Sequence, residues 1–231
     1  MLISGLQKLT LLDFPGRTAC TLFTPGCNYR CPFCHNASLV ARAAEQPPLD
    51  TVELFAFLLK RRIVLDGVAI SGGEPTLQHD LPDFLARLRE LGYAVKLDTN
   101  GTNPAMLREI LARGLADYIA MDIKASPENY ARTAGVPVLD LAPVRESAAL
   151  LMDGRVPFEF RTTAVKELHT VSDFEAIGQW LRGPERYFIQ CFRDSGDVLM
   201  PGFSAPDRAA LQSFLAAVRE YIPAAELRGV D

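Results

Sequence analysis

The sequence predicts an α/β fold built on a parallel sheet, in a single domain that covers residues 1–231. Six apolar, strand-like runs alternate with six helical patterns, and alternation with short connections places consecutive strands side by side in parallel. A chain of 231 residues with 48% hydrophobic residues can bury one sizeable core. Six such units fit either a partial barrel or a doubly wound open sheet, and periodicity alone does not choose between them.

The predicted elements follow one another regularly. Residues 1–18 are predicted to be a loop, because Asp13-Phe14-Pro15-Gly16 suits a tight turn. The predicted strands are 19–24, 67–70, 93–97, 117–123, 157–163 and 186–192. The first helix is predicted to begin near residue 50, and the later ones to lie at 80–91, 104–113, 141–152, 172–182 and 206–221.

The charge and the cysteine content exclude several classes of function. A formal net charge of −4 offers no broad basic field for phosphates, so no nucleic acid partner is expected. Neither an export signal nor a long apolar stretch is present, so we expect a cytoplasmic protein without membrane contact. In a reducing compartment, five cysteines indicate metal chemistry rather than a disulfide framework.

Three of these cysteines, Cys27, Cys31 and Cys34, lie within eight residues directly after the first predicted strand. Five cysteines shuffled over a chain of this length would produce this spacing about one time in a thousand. Thiolates so close together cannot all be ordinary core residues. The spacing therefore predicts that this loop, the cysteine loop, holds a metal or a cluster.

Three kinds of site compete for the cysteine loop. A structural zinc site needs a fourth ligand, and His35 is poorly placed to share a metal with its neighbour Cys34. A haem attachment site matches the Cys31-to-His35 spacing, but such haem is normally attached outside the cytoplasm. An iron–sulfur cluster held by three thiolates leaves one iron open for chemistry.

Polar and glycine-rich segments follow three further predicted strands. They are Ser71–Pro75, Asp98–Gly101 and Asp122–Lys124. Barrels and open α/β sheets both place their sites at the carboxyl ends of the strands. We therefore expect these segments and the cysteine loop to form one active site.

The C-x3-C-x2-C spacing, with Phe33 just before the last cysteine, resembles the radical S-adenosylmethionine superfamily. The resemblance implies a partial (β/α)6 TIM-like barrel of the radical SAM type. It also implies that Cys27, Cys31 and Cys34 bind a [4Fe-4S] cluster and are the catalytic ligands, while the open iron takes S-adenosylmethionine.

Further segments match the same superfamily in order. Gly72-Gly73-Glu74 is similar to its glycine-glycine-glutamate motif, in which the glycines let the backbone approach the ligand closely and Glu74 would accept from the methionine ammonium. Arg161 matches the arginine that holds the cofactor carboxylate. Tyr29 and Phe33 would flank the cluster and the adenine. Without the cysteine loop, the glycine segment would more often be a strand-to-helix turn. The alternative for Arg161 is a surface or interface ion pair.

The segments at Asp98-Thr99 and Asp122 resemble the activating enzymes of glycyl-radical enzymes. The resemblance implies a monovalent cation beside the cofactor, bound by Asp98, Thr99 and Asp122, because two converging carboxylates would repel without a cation between them. The alternative is that each aspartate caps a helix. Where relatives carry a late histidine near the cofactor ribose, this chain has Phe192, and Gln190 is the nearby candidate contact.

The resemblance also implies a reaction. Electron transfer from the reduced cluster would cleave S-adenosylmethionine to a 5′-deoxyadenosyl radical, which would abstract hydrogen from a glycine of a partner enzyme. The segment Thr10–Gly16 and the compact length are most similar to activating proteins of anaerobic ribonucleoside-triphosphate reductase. A flavodoxin or ferredoxin would donate the electron.

Two other functions remain open at this point. One is a radical enzyme that acts on a small molecule or peptide with the same cofactor. The other is an iron–sulfur electron-transfer or sensor protein without S-adenosylmethionine turnover. The remaining cysteines, Cys20 and Cys191, lie within predicted strands and are expected to be buried structural thiols.

Overall fold

The computed structural model describes residues 1–45, 47–154, 156–183 and 186–230. The strands are β1 (Gly5–Thr10), β2 (Ala19–Thr24), β3 (Gly67–Gly72), β4 (Ala94–Thr99), β5 (Tyr118–Asp122), β6 (Phe158–Ala164), β7 (Tyr187–Cys191) and β8 (Glu226–Arg228). The helices are α1 (Ala37–Ala41), α2 (Thr51–Arg61), α3 (Leu81–Glu90), α4 (Pro104–Ala112), α5 (Tyr130–Ala134), α6 (Ala142–Met152), α7 (Val171–Trp180) and α8 (Arg208–Arg219). No helix in these ranges is long and apolar enough to cross a bilayer.

All eight strands belong to one sheet whose spatial order is the order of the sequence. Strands β2 to β8 run parallel, and β1 pairs antiparallel with β2. A doubly wound sheet would reverse its strand order partway, so the sequential order confirms the partial barrel. Each of β2 to β7 is followed by a helix, which confirms the six predicted βα units. Within the described ranges β1 and β8 each pair with one strand, so the barrel is open between them.

The sequence missed both edge strands. The predicted loop at residues 1–18 contains β1, whose residues Gln7, Lys8 and Leu9 are exposed and show no apolar alternation. Strand β8 has three residues, fewer than a periodic pattern needs to be recognised. Both edge strands form because the neighbouring strand, β2 for β1 and β7 for β8, offers a free row of backbone hydrogen-bonding groups.

Alternate residues of the parallel strands point to opposite sides of the sheet. On β4, Val95 and Leu97 belong to the main apolar core, together with Leu85 of the adjacent α3. Lys96 on the same strand is 2% exposed and forms an ion pair with Asp98, which lines a cavity inside the barrel. The outer face of the sheet is therefore packed against helices, whereas its inner face carries charged groups.

A small apolar cluster lies at the amino ends of the strands. Phe14, Ala19 and Tyr118 are buried together there, and the rings of Phe14 and Tyr118 lie 6.3 Å apart. Gly67, the first residue of β3, lies against the Phe14 ring, and a Cβ at this position would come within 2.8 Å of Cδ1. We call Phe14, Ala19 and Tyr118 the basal plug.

Adding that Cβ should destabilise the fold. We expect Gly67→Ala to lower the free energy of unfolding by about 1–3 kcal/mol, because the buried Phe14 ring must shift. In a Phe14→Ala background the same substitution should cost less, since the Cδ1 and Cε1 atoms that clash are gone. Urea unfolding of the unaltered protein, the two single variants and the double variant measures both costs, and equal costs in the two backgrounds would contradict the contact.

Candidate active site

One cavity of about 610 Å³ lies inside the barrel and is lined by the carboxyl ends of the strands. Every residue that the sequence proposed for the site lies on its wall. These residues are Cys27, Tyr29, Cys31, Phe33, Cys34, Gly72, Gly73, Glu74, Asp98, Thr99, Asp122, Arg161 and Gln190. The four segments expected to form one site are therefore brought together, while the role of each residue stays a prediction.

The backbone of the cysteine loop is fixed from several sides. Arg30 N donates to Ala134 O of α5 at 2.9 Å, and Met200 N donates to Pro32 O at 2.8 Å. The Arg30 guanidinium folds back on its own loop and donates to Cys27 O at 2.5 Å. Because these bonds come from distant parts of the chain, the three thiols are positioned by the whole barrel.

The two glycines of the glutamate motif pack directly against the cysteine loop. Gly73 N donates to Thr24 O, and Glu74 N donates to Gly26 O, both at 2.8 Å. A Cβ at Gly73 would lie 1.8 Å from Gly26 O, and one at Gly72 would lie 2.3 Å from Thr24 N. The close contact between two loops therefore requires glycine at both positions, a requirement that the sequence did not suggest.

A third glycine holds the other side of the cysteine loop. Gly135 ends α5 in a left-handed conformation with φ 67°, and a Cβ there would lie 2.0 Å from Arg30 O. The contact lies next to Cys31, so a side chain at Gly135 would displace the backbone that carries that thiol.

Glu74 is 1% exposed, and its carboxylate is engaged by the protein. Oε1 accepts from Thr76 N, Thr76 Oγ1 and Thr99 Oγ1, and Oε2 accepts from Asn100 N at 2.6 Å. Burial raises the pKa of Glu74, although the four hydrogen bonds oppose that rise. Glu74 therefore ties β3 to β4, and any contact with a ligand ammonium would be added to this role.

Asp98 and Asp122 converge as predicted, and a guanidinium lies between them. Arg161 Nη2 is 3.5 Å from Asp98 Oδ2 and 3.0 Å from Asp122 Oδ1. Lys96 pairs with Asp98, and Lys124 Nζ lies 3.0 Å from Asp122 Oδ2. Neither aspartate accepts a helix-capping hydrogen bond in these contacts, so the helix-cap alternative does not describe them.

These pairings control the protonation of the aspartates. Burial alone raises the pKa of Asp122, but the Arg161 and Lys124 charges outweigh it and lower the pKa to about 2. For Asp98 the Arg161 and Lys96 charges likewise outweigh burial and hold the pKa below its usual value. Both carboxylates are therefore ionised at neutral pH.

The three thiols form a donor set that fits an iron–sulfur cluster. Burial raises the pKa of Cys31 to about 12 and also raises the pKa of Cys27, while the Lys124 charge favours both thiolates. Within the described part of the chain, no three His, Cys, Asp or Glu side chains surround one metal ion. In a cluster each thiolate binds its own iron, so soft ligands spread along one cavity wall are what such a group requires.

Some cavity residues were not proposed as site residues. Asn36 Nδ2 donates to Gly72 O at 2.8 Å, and Asn100 and Arg228 also line the wall. Cys20 is fully buried as expected, but Cys191 is half-buried and faces the cavity, so the expectation of a buried thiol was wrong for it. Phe192 is 1% exposed and packs edge-on against Phe33, so it supports that ring from behind.

The contact between Gly135 and Arg30 predicts a local effect on cluster binding. We expect Gly135→Ala to reduce the iron bound after anaerobic reconstitution several-fold, because the new Cβ displaces Arg30 O. Gly114→Ala is the matched control: Gly114 has φ 60°, and nothing lies within 4 Å of its added Cβ. Both variants carry a similar left-handed strain of about 1–2 kcal/mol. Equal iron contents would refute the positioning role.

The contacts of Glu74 predict two separable effects. Glu74→Gln should lower the free energy of unfolding of the metal-free chain by about 1–3 kcal/mol, because its amide nitrogen faces a backbone or hydroxyl donor. It should also weaken S-adenosylmethionine binding to the reconstituted protein if the carboxylate accepts from the ammonium. Urea unfolding and equilibrium binding measure the two effects, and unchanged affinity with reduced stability would leave Glu74 a purely structural residue.

A model of the family described as the Radical SAM superfamily matches residues 21–178. A candidate glycyl-radical enzyme activating enzyme of Methanocaldococcus jannaschii is 30% identical over 238 residues, which cover 100% of this chain and 97% of the relative. The pyruvate formate-lyase-activating enzyme of Clostridium pasteurianum is 35% identical over 53% of this chain and 52% of that protein. The anaerobic ribonucleoside-triphosphate reductase-activating protein of Salmonella typhi is 36% identical over 35% of this chain and 53% of its own.

Solved structures share the fold. Streptococcus suis SuiB superimposes with a TM-score of 0.68 at 17% identity, covering 94% of this chain and 50% of SuiB. SuiB bound to S-adenosylmethionine gives a TM-score of 0.66 at 16% identity over 90% of this chain and 52% of that one. The chain thus spans about half the length of these structures, and the likeness concerns the fold alone. Taken with the family match and the full-length relative, the sequential partial barrel and its cysteine loop establish that the chain belongs to the radical SAM superfamily.

Proposed function

We propose that the protein is an activating enzyme that generates the radical of a glycyl-radical enzyme. One observation carries this proposal. The candidate glycyl-radical enzyme activating enzyme of Methanocaldococcus jannaschii described above is 30% identical over the entire chain. Membership of the superfamily implies a [4Fe-4S] cluster and S-adenosylmethionine. When bound, the reduced cluster supplies the electron that cleaves S-adenosylmethionine to a 5′-deoxyadenosyl radical, and we propose that this radical takes a hydrogen from a glycine of the partner.

The chain's own residues would bind and orient the cofactor. We assign Cys27, Cys31 and Cys34 to the cluster, and the ammonium of S-adenosylmethionine to the wall formed by Gly72, Gly73 and Glu74. Tyr29 supports a ligand in this cavity, because it lines the cavity and its hydroxyl is buried without a hydrogen-bond partner among the described residues. A buried hydroxyl left unpaired costs free energy that a bound group would recover. Phe33 and Gln190 complete the proposed contacts.

The charges inside the barrel support Arg161 as the residue that takes the cofactor carboxylate. Lys96 pairs with Asp98, Lys124 with Asp122, and Arg228 with Glu159. The Arg161 guanidinium is shared among these same carboxylates, so these ion pairs, taken among the residues that the structure describes, join four basic groups to three acidic ones. One further carboxylate would balance the network, and it would meet a guanidinium suited to bidentate pairing.

We retain a monovalent cation at Asp98, Thr99 and Asp122 as part of the proposal. Such a cation would compete with Arg161, Lys96 and Lys124 for the same carboxylate oxygens. Its binding therefore requires the Arg161 guanidinium to turn toward another anion, which the cofactor carboxylate would provide.

The open side of the barrel supports a macromolecular substrate. The sheet ends at β1 and β8, and Arg228 and Gly229 at the β8 edge line the cavity. A closed eight-unit barrel has an interior filled with side chains, whereas an open edge admits a segment of another chain. We propose anaerobic ribonucleoside-triphosphate reductase as the partner, a flavodoxin or ferredoxin as the electron donor, the cytoplasm as the location, and residues 1–231 as one domain.

A radical enzyme that modifies a small molecule or peptide is the second candidate. It would use the same cavity and cofactor, so the contacts above do not separate the two. The likeness to SuiB, for which a structure bound to a precursor peptide exists, is at 18% identity and concerns the fold alone.

The decisive experiment is anaerobic activation of a candidate partner. The reconstituted protein, dithionite and S-adenosylmethionine should release 5′-deoxyadenosine and, with the reductase, give a glycyl doublet in electron paramagnetic resonance. Cys31→Ala should give neither signal, because two thiolates cannot replace three. Release of 5′-deoxyadenosine without a glycyl signal from any glycyl-radical protein of the host would favour the second candidate, and no release would defeat both.

A further inference from the structure

Asn100, at the carboxyl end of β4, connects the cavity wall formed by Gly72, Gly73 and Glu74, the Glu74 wall, to one of the three cysteines assigned to the cluster. Its side-chain Nδ2 donates to Asn28 Oδ1 at 2.8 Å and lies 3.9 Å from Cys27 Sγ. Its backbone N donates to Glu74 Oε2 at 2.6 Å. One buried residue thus contacts both parts of the proposed cofactor site.

The orientation of the Asn100 amide is fixed by its neighbours. Its Oδ1 accepts from Thr102 N at 3.0 Å and from Thr102 Oγ1 at 2.7 Å. Asn28 Nδ2 donates to Thr102 Oγ1 at 2.9 Å, which closes a ring of three side chains. Because Oδ1 accepts both bonds from Thr102, the amide nitrogen must face Asn28 and Cys27.

A second N–H group points at the same sulfur. Tyr29 N lies 3.3 Å from Cys27 Sγ. Asn100 is 5% exposed, so its side-chain amide is largely shielded from bulk water. Among the described residues, Cys27 Sγ therefore has one N–H donor from its own loop and one from Asn100, the residue that follows β4.

Hydrogen bonds to the sulfur ligands are among the factors that set the reduction potential of an iron–sulfur cluster. Reduction adds negative charge that spreads onto the thiolates, and an N–H donor stabilises that charge. A donor therefore raises the midpoint potential, and its loss lowers it.

We infer that Asn100 is a positioning residue that raises the midpoint potential of the cluster through Cys27 and makes that potential sensitive to a ligand on the Glu74 wall. A ligand that binds the Glu74 carboxylate would alter the hydrogen bond from Asn100 N to Glu74 Oε2 and so shift Asn100. Because the side-chain amide is held rigidly, its Nδ2 would then move relative to Cys27 Sγ. The inference rests on the cluster assignment in the proposed function, but it needs neither a partner protein nor turnover.

Potentiometric titration of the reconstituted protein tests the inference. We expect Asn100→Ala to retain the iron and sulfide content of the unaltered protein, to show a more negative midpoint potential, and to show a smaller change of potential when S-adenosylmethionine is added. Asn103→Ala is the matched control, because Asn103 lies three residues away, caps α4 and bonds to Thr76 O, and none of the hydrogen bonds of its side chain to described residues reaches the cysteine loop. Its potential should equal that of the unaltered protein.

A second variant covers the case in which Asn100→Ala assembles no cluster. Thr102→Val keeps Asn100 and removes the hydroxyl that orients its amide, so we expect a full cluster and a smaller shift in the same direction. An unchanged potential in a cluster-loaded Asn100→Ala, or in Thr102→Val when Asn100→Ala assembles no cluster, would overturn the inference. Failure of the proposed function is seen separately, as the absence of a glycyl signal from the unaltered protein, and leaves the titration interpretable.

Discussion

The contact between the Gly73 backbone and the Gly26 carbonyl is the constraint on which the site depends. The hydrogen bond from Glu74 N to Gly26 O joins the ends of β2 and β3 at 2.8 Å, a separation that leaves no room for a side chain at Gly73. It sets the distance between the cysteine loop and the Glu74 wall. Glu74 then fixes the end of β4 through Thr99 and Asn100, so three consecutive strands share one network.

Charge balance is the second constraint. The inner faces of β4, β5 and β6 carry Lys96, Asp98, Asp122, Glu159 and Arg161, groups that apolar surroundings would not tolerate unpaired. Arg161 stands between the two aspartates and contacts both. The barrel interior is therefore an electrostatically coupled assembly, in which moving one group changes the partners of several others.

The fold was largely predictable because each βα unit carries its own signal. Buried strands such as β3 are short apolar runs ended by glycine, and α2 is capped by Asp50, whose side chain accepts from Val52 N and Glu53 N. The edge strands β1 and β8 were not predictable, since their formation depends on a partner strand rather than on their own pattern. The segments of the site were recognisable because thiols and carboxylates cluster at strand ends. The contacts between individual side chains were not predictable, because they depend on distances that a linear sequence does not contain. Examples are the Arg161 guanidinium between Asp98 and Asp122, the hydrogen-bonded carboxylate of Glu74 and the exposure of Cys191 to the cavity.

The basal plug gives the barrel two chemically different ends. Phe14 and Tyr118 pack together where the strands begin, and a Cβ at Gly67 would already meet the Phe14 ring. The thiols, carboxylates and guanidinium groups that line the cavity lie mainly where the strands end. Substitutions at the amino end are therefore expected to act on folding, whereas substitutions at the carboxyl end can change the chemistry of the cavity while the barrel stays folded.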